Sequence, residues 1–223
     1  MVVDGVAYDG IEFSHPGHAS VRIESEGVVV YIDPWRDVVD GEPGDADVVV
    51  VTHDDYDHYD PDGIDAVSND ATTVVAYEAI DTSDLGRPVT PLAADATVTV
   101  HGISVEAVPA YNRADGDHVD EDGNPYHAVG EVGGVVLDIG DTTVYFPSDT
   151  DFLDDHRDLR ADVVIPPIGG TYTMDRHEAA ALAEAVGAAL VLPVHYDTFE
   201  AIETDAEAFA DDVEARGMRV ELF

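Results

Sequence analysis

Apolar and polar positions alternate in short runs through most of the chain, and a helical period emerges only near its end. Val21–Ile23 and Val28–Ile32 flank a Glu26-Gly27 turn, and Asp33-Pro34 closes the second of these strands. Val48–Thr52 is an unbroken β-branched run, the pattern of a strand buried on both faces. It delivers His53 and an acidic loop to its C-terminal end. Asp60-Pro61 reads as an N-cap followed by proline at the first helical position, opening a short helix to Val67. Strands are predicted at Thr72–Ala76, Ala96–Val100 and Ile103–Val108. The polar stretch from Asn112 to Pro125, with Gly116 and Gly123, reads as a loop, and strands resume at Ala128–Ile139, Thr142–Phe146 and Val163–Ile165.

The last quarter reads differently. Asp175-x-x-Glu178 is a capping-box start to an Ala-rich helix that Gly187 ends. Leu190–Val194 is a strand running to His195. Thr204-x-x-Glu207 opens another helix, closed by Gly217 before a terminal strand at Arg219–Leu222. Hairpins first and helices outside them predict an α/β fold of two packed β-sheets with helices on the outer faces. No sequence repeat, linker or low-complexity segment interrupts the chain, so residues 1–223 are expected to form a single domain.

Charge changes this picture. The chain carries 49 Asp and Glu against 9 basic residues, all arginine, for a formal net charge of -40. Such self-repulsion strains a compact fold at ordinary salt. Molar salt relieves it, because the Debye length falls to about 3 Å at 1 M. The acids are spread along the whole chain and lysine is absent, which predicts a halophilic protein of a salt-accumulating cytoplasm. No basic stripe exists for a phosphate backbone, so nucleic acid is not an expected partner. With no cysteine there is no disulfide, thiolate-held zinc or cysteine nucleophile, and without lysine there is no Schiff base or P-loop. Met1 to Ser20 shows no signal peptide, and no apolar run approaches the roughly 18 residues of a membrane span. A small-molecule substrate is the expected partner, and homo-oligomerisation is left open.

The densest chemistry lies in Thr52-His53-Asp54-Asp55-Tyr56-Asp57-His58-Tyr59-Asp60. Two imidazoles and several carboxylates in one loop after a buried strand are donors that zinc, iron and manganese accept. His127, Asp149 and His195 each stand near a predicted strand end, where a sandwich presents functional side chains. His18 is either a group beside the cleft or a packed imidazole. Trp35, Tyr111 and Tyr172 are pocket-lining or packing residues, and Asn112 is a further pocket residue. His15 receives no role, and His101, His118, His156 and His177 are expected at the surface.

In order, these residues resemble the metallo-β-lactamase fold hydrolases, whose pattern is His-x-His-x-Asp-His, then a distant His, an Asp and a last His. Here that reads His53, Asp55 in the second-His place, Asp57, His58, His127, Asp149 and His195. Gly17-His18-Ala19-Ser20, Ile32-Asp33-Pro34-Trp35, Pro109-Ala110-Tyr111-Asn112 and Ser148-Asp149-Thr150-Asp151 look like the ascorbate-6-phosphate lactonase and N-acylphosphatidylethanolamine phospholipase D branch. Ile168-Gly169-Gly170-Thr171-Tyr172-Thr173-Met174 and Pro193-Val194-His195-Tyr196 do so too. The resemblance implies an αββα sandwich of two mixed β-sheets with two divalent metal ions at the strand ends, zinc first, manganese or iron otherwise. It implies that His53 and His127 hold one ion, that Asp57, His58 and His195 hold the other, and that Asp149 bridges.

Asp55 is either a ligand or a solvent-facing acid. As a ligand it hardens the first site toward manganese or iron. The implied reaction is hydrolysis of a lactone or phosphate ester by a hydroxide held between the metals, with Asp57 orienting or deprotonating the water. Two alternatives stand beside it: an iron-dependent redox enzyme on the same fold, and a degenerate metal-binding protein without catalysis.

Overall fold

The computed structural model describes residues 5–223; the first four, part of the stretch read as free of a signal peptide, lie outside the described residues. Strands β1 (Val6–Tyr8), β2 (Ile11–Gly17), β3 (Ser20–Ser25) and β4 (Val28–Ile32) form an antiparallel meander. Parallel strands β5 (Ala46–Val51), β6 (Ser68–Tyr77) and β7 (Val89–Leu92) extend that sheet in order. Helix α1 (Pro61–Val67) crosses from β5 to β6. The second sheet repeats the plan. Strands β8 (Thr97–Val100), β9 (Ile103–Ala110), β10 (Val132–Ile139) and β11 (Thr142–Phe146) are antiparallel, and β12 (Val163–Val164), β13 (Leu190–Val191) and β14 (Arg219–Val220) continue in parallel. Helices α2 (Arg176–Val186) and α3 (Ala206–Ala215) join these last strands. The sequence shows no repeat, yet its topology does: two seven-stranded mixed sheets of matching strand order.

Local chemistry accounts for the elements that carry the site. Val48 to Val51 are fully buried, as a β-branched run between two parallel neighbours demands. The Asp60 side chain caps α1 by accepting from the Asp62 amide, and Pro61 sits where its missing N–H is not needed. A Cβ on Gly63 would stand 2.1 Å from the Pro34 carbonyl, so only glycine lets α1 lie against the loop after β4. The Asp175–Glu178 capping box opens α2 and Gly187, with a φ of 79°, ends it. Leu182, Val186, Phe209 and Val213 of α2 and α3 bury against Tyr145, Val164 and Val191 on the outer face of the second sheet. Each such side chain contributes about 1.5–3 kcal/mol. Phe13, Val48, Val50, Val135 and Leu137 belong to the core that joins the two sheets.

Several expectations shift. Strands β1, β2 and β7 were not predicted; β2 carries Pro16 and Gly17, and edge strand β7 carries Pro91, residues that read as breakers. Strand β10 starts at Val132, so His127 stands in the turn before it and not on it. Strand β13 ends at Val191, and the chain reaches His195 through an irregular segment tied by a bridge from Val194 to Pro167. The cap of α3 is Asp205, which accepts from the Ala208 amide, and not Thr204.

Candidate metal centre

Four segments converge where the sheets' strands run out. After β5 the chain turns sharply, with the amides of His58 and Tyr59 both donating to the Asp55 carbonyl at 2.9 and 2.8 Å. This fold-back brings His53 and Asp55 into one cluster and Asp57 and His58 into an adjoining one. Asp149 follows β11, His127 precedes β10, and the His195 amide donates to the His18 carbonyl at 2.8 Å, pinning the His195 segment beside the turn between β2 and β3. His18, Asp33, Ser148 and His195 all adopt left-handed backbone with φ of 46–60°. Such conformations are unfavourable for residues with a Cβ and cluster where a scaffold holds a site in place.

Three groups of potential donors result, one of them Asp33 with His53 and His58, and two of them facing the cleft. Of these two, His53, Asp55 and His127 form one, and Asp57, His58 and His195 form the other, which also includes His18. Asp149 lies between them: its Oδ1 is 3.5 Å from His58 Nε2, and its Oδ2 is 3.6 Å from His127 Nε2 and 3.2 Å from His195 Nε2. Asp55 Oδ2 lies 3.3 Å from His127 Nε2 and 3.6 Å from His53 Nε2, so it faces the centre and not open solvent alone.

The hydrogen bonds behind these groups fix which imidazole nitrogen carries the proton. The Thr52 hydroxyl donates to Asp33 Oδ2 at 2.6 Å, so its oxygen is left to accept from His53 Nδ1 at 3.0 Å. Asp33 Oδ2 also accepts from His58 Nδ1 at 2.8 Å. Asn112 donates its Nδ2 to Asp151 and to the Tyr172 carbonyl, which turns its Oδ1 toward His127 Nδ1 at 3.0 Å. Each of the three rings thereby keeps a proton on Nδ1 and directs Nε2 inward, the atom that would meet an ion once its own proton is released. The Nε2 atoms of His53 and His58 are buried and have no hydrogen-bond partner. A buried ring nitrogen without a partner is unfavourable, and a histidine–carboxylate set is the donor chemistry a divalent metal takes.

Electrostatics agree. Burial alone lowers the His53 pKa, but the Asp55, Asp149 and Asp33 carboxylates outweigh it and hold the imidazole at about 9. Burial raises Asp149, yet the facing His195 and His58 pull it well below the usual carboxylate range. The site thus gathers more negative charge than protein groups neutralise without taking up protons, and a bound cation releases those protons.

Comparison with known proteins decides the family. Residues 12–195 match the family described as Beta-lactamase superfamily domain. The chain belongs to the metallo-β-lactamase superfamily. A UPF0173 metal-dependent hydrolase from Methanosphaerula palustris is 37% identical over 205 residues, covering 89% of each chain. A solved structure from Parabacteroides distasonis superposes with a TM-score of 0.84 at 25% identity, covering 100% of this chain and 98% of that one. The fold is shared also with Igni18, a metallo hydrolase from Ignicoccus hospitalis, at a TM-score of 0.79 and 24% identity, over 96% of this chain and 94% of that one. The protein is a metal-dependent hydrolase of the UPF0173 family.

In this hydrolase a cleft of about 290 Å³ opens over the centre, lined by Asp55, Tyr56, Asp57, Tyr126, His127, Asp149, Tyr172, His195 and Phe199. Of the four pocket residues expected from sequence, only Tyr172 lines it. His18 is buried behind Asp57, donating from Nε2 to Asp57 Oδ2 at 2.8 Å, with Nδ1 3.1 Å from the Thr198 hydroxyl. Asn112 is buried as the brace of His127. Tyr111 lines a separate apolar groove with Tyr77 and Val129. His118 and His156, expected at the surface, are buried: His118 bonds Asp151 at 2.6 Å and His156 bonds the Pro109 carbonyl at 2.9 Å. Sequence reasoning also missed Asp33, Thr52, Ser148 and Asp151 as braces, and Tyr56, Tyr126 and Phe199 as walls. The Ser148 hydroxyl donates to Thr52 Oγ1 at 2.7 Å, and the signals that could have found these braces were the nearness of Asp33-Pro34 and Ser148-Asp149 to predicted strand ends and their place in the resembling motifs. Among the described residues no helix is long and apolar enough to cross a membrane.

Proposed function

We propose that this hydrolase holds two divalent ions and cleaves a lactone or phosphate ester bond. His53, Asp55 and His127 hold the first ion, Asp57, His58 and His195 the second, and Asp149 serves both. Zinc suits the histidine-rich second set, and manganese or iron suits the first set with its extra carboxylate. The observation that carries this reading is the pair of buried, unpartnered Nε2 atoms of His53 and His58. Bound divalent ions supply Lewis-acid polarisation of the scissile group and a water made acidic near neutral pH. The chain itself orients and moves the proton. His18 Nε2 donates to Asp57 Oδ2, which holds that carboxylate ionised and leaves Oδ1 to orient the attacking water and take its proton. We also read the uniformly acidic surface as adaptation to a salt-accumulating cytoplasm.

The redox and non-catalytic alternatives gain no observation of their own from this geometry. The test is to strip the protein with a chelator in molar KCl, reload it with zinc, manganese or iron(II), and count ions by mass spectrometry. Lactones and phosphate mono- and diesters are then assayed. Two ions per chain and chelator-sensitive hydrolysis are expected. Two ions with no hydrolysis of any member would sink the substrate assignment, and no bound ion would sink the centre.

A further inference from the structure

We infer that the part of the substrate lying away from the scissile bond is uncharged, flat and apolar, an aryl body and not a phosphorylated sugar. The inference rests on the lactone-or-ester reading of the same cleft and narrows it. Four of the nine lining residues are aromatic: Tyr56, Tyr126, Tyr172 and Phe199. None is arginine, and the chain has no lysine to offer. Arg176, four residues after Tyr172, is not among the lining residues, and two further arginines are engaged elsewhere. Arg113 bonds Asp151 and Glu178, and Arg36 bonds the Val39 carbonyl.

Charge points the same way. The carboxylates in the lining are Asp55, Asp57 and Asp149. Three negative charges against two divalent ions leave a net charge of about +1, one less than a histidine in the place of Asp55 would leave. That residual charge sits at the floor of the cleft. A phosphate carried on the far side of the substrate would meet tyrosine faces, with no guanidinium fork among the lining residues to replace its water.

The aromatic walls have a positive reason to be there. Tyr56 is 68% exposed and Tyr126 41% exposed, two of the most exposed large hydrophobic side chains among the described residues. Tyr126 meets Tyr172 edge-to-face at 4.9 Å and 80°, and Tyr56 meets Trp35 at 5.9 Å and 78°. Exposed rings gain little from packing, and strong salt makes their exposure to water more unfavourable still. Covering them with a flat apolar ligand returns that free energy as binding. The cleft's volume of about 290 Å³ lies at the small end for ligand sites and suits a one- or two-ring body.

A matched pair of lactones separates the classes: dihydrocoumarin, with an aryl body, and 6-phosphoglucono-δ-lactone, with a remote phosphate. Unreactive counterparts, dihydroquinolinone and glucose 6-phosphate, are titrated calorimetrically into the metal-loaded protein in molar KCl. The lactam is expected to bind at least about tenfold more tightly than the sugar phosphate. Tyr56→Ala and Tyr126→Ala each weaken it about five- to tenfold with Tm unchanged, whereas Tyr56→Phe keeps it. Tighter binding of glucose 6-phosphate, or alanine variants with undiminished lactam affinity, overturns the inference. If the binding order holds while neither lactone is hydrolysed, the inference stands and the lactonase part of the proposed function falls.

Discussion

The donors Asp57, His58 and His195 and the donors His53, Asp55 and His127 face one another across Asp149, and they are supported unequally. In the first-named set every side chain is at most 10% exposed, His18 bonds Asp57, and Asp33 fixes His58. In the other, Thr52 and Asn112 brace the two imidazoles just as well, but the Asp55 side chain is 54% exposed and its contacts point only into the centre. A donor braced from behind arrives oriented, and little ordering is left for an ion to impose. On the proposed reading, Asp55 would be ordered by the ion itself. The departure from the superfamily's His-x-His pattern thus falls at the open lip of the centre, where no surrounding network would have to change with it.

Removing the shared group tests this contrast most severely. Asp149→Ala is expected to lose both ions and at least about a thousandfold in activity, since several kcal/mol of charge stabilisation disappear at about 1.4 kcal/mol per tenfold. Retention of one ion, measured by mass spectrometry, would show the two sets to be independent. Asp33→Asn strikes the bracing instead. It should weaken ion binding about 10–100-fold in chelator competition, as loss of an outer partner does. The effect should be larger at the His58 set, because Asp33 bonds His58 directly and hydrogen-bonds toward His53 through Thr52.

How much of this was legible in the sequence follows from what each residue depends on. The β-branched run Val48–Thr52, the Asp60-Pro61 start and the Asp175 capping box are local patterns, and all three hold. The order of His and Asp residues, read by resemblance, brings together a set the fold does gather. The braces were not legible. Asp33 looked like a strand terminator, and its bonds to Thr52 and His58 join positions 19 and 25 residues away. His118 and His156 looked like loop residues because their burial is set by Asp151 and Pro109, 33 and 47 residues distant.

Salt separates the centre from the surface. With a net charge of -40, Tm should rise by at least about 5 °C between 0.2 and 3 M KCl, while ion stoichiometry stays constant. A flat Tm would contradict the halophilic reading. The smallest effect concerns the chain of bonds behind His127, which runs through Asn112 to Asp151 and His118. The Asp151 bond raises the His118 pKa, so this contribution is complete below about pH 6.5 and is lost as pH rises through the raised value. Burial raises Asp151, but its bonds to His118, Arg113 and Asn112 bring it to about 2, so its share is lost as pH falls from about 4 toward 2. His118→Gln should therefore lower Tm by about 2–4 °C at pH 6 and flatten its decline between pH 6.5 and 8.5. An unchanged slope in thermal melts would remove His118 from the brace.

The claim that the exposed carboxylate is a true but dispensable donor is tested most directly by counting ions in Asp55→Ala. Isothermal titration of the chelator-stripped protein with manganese, in molar KCl, resolves two binding steps in the wild type on this account. In Asp55→Ala one step should weaken about 10–100-fold and the other stay where it was. Two unaltered steps, or a wild type that binds a single ion indifferent to the substitution, would contradict it.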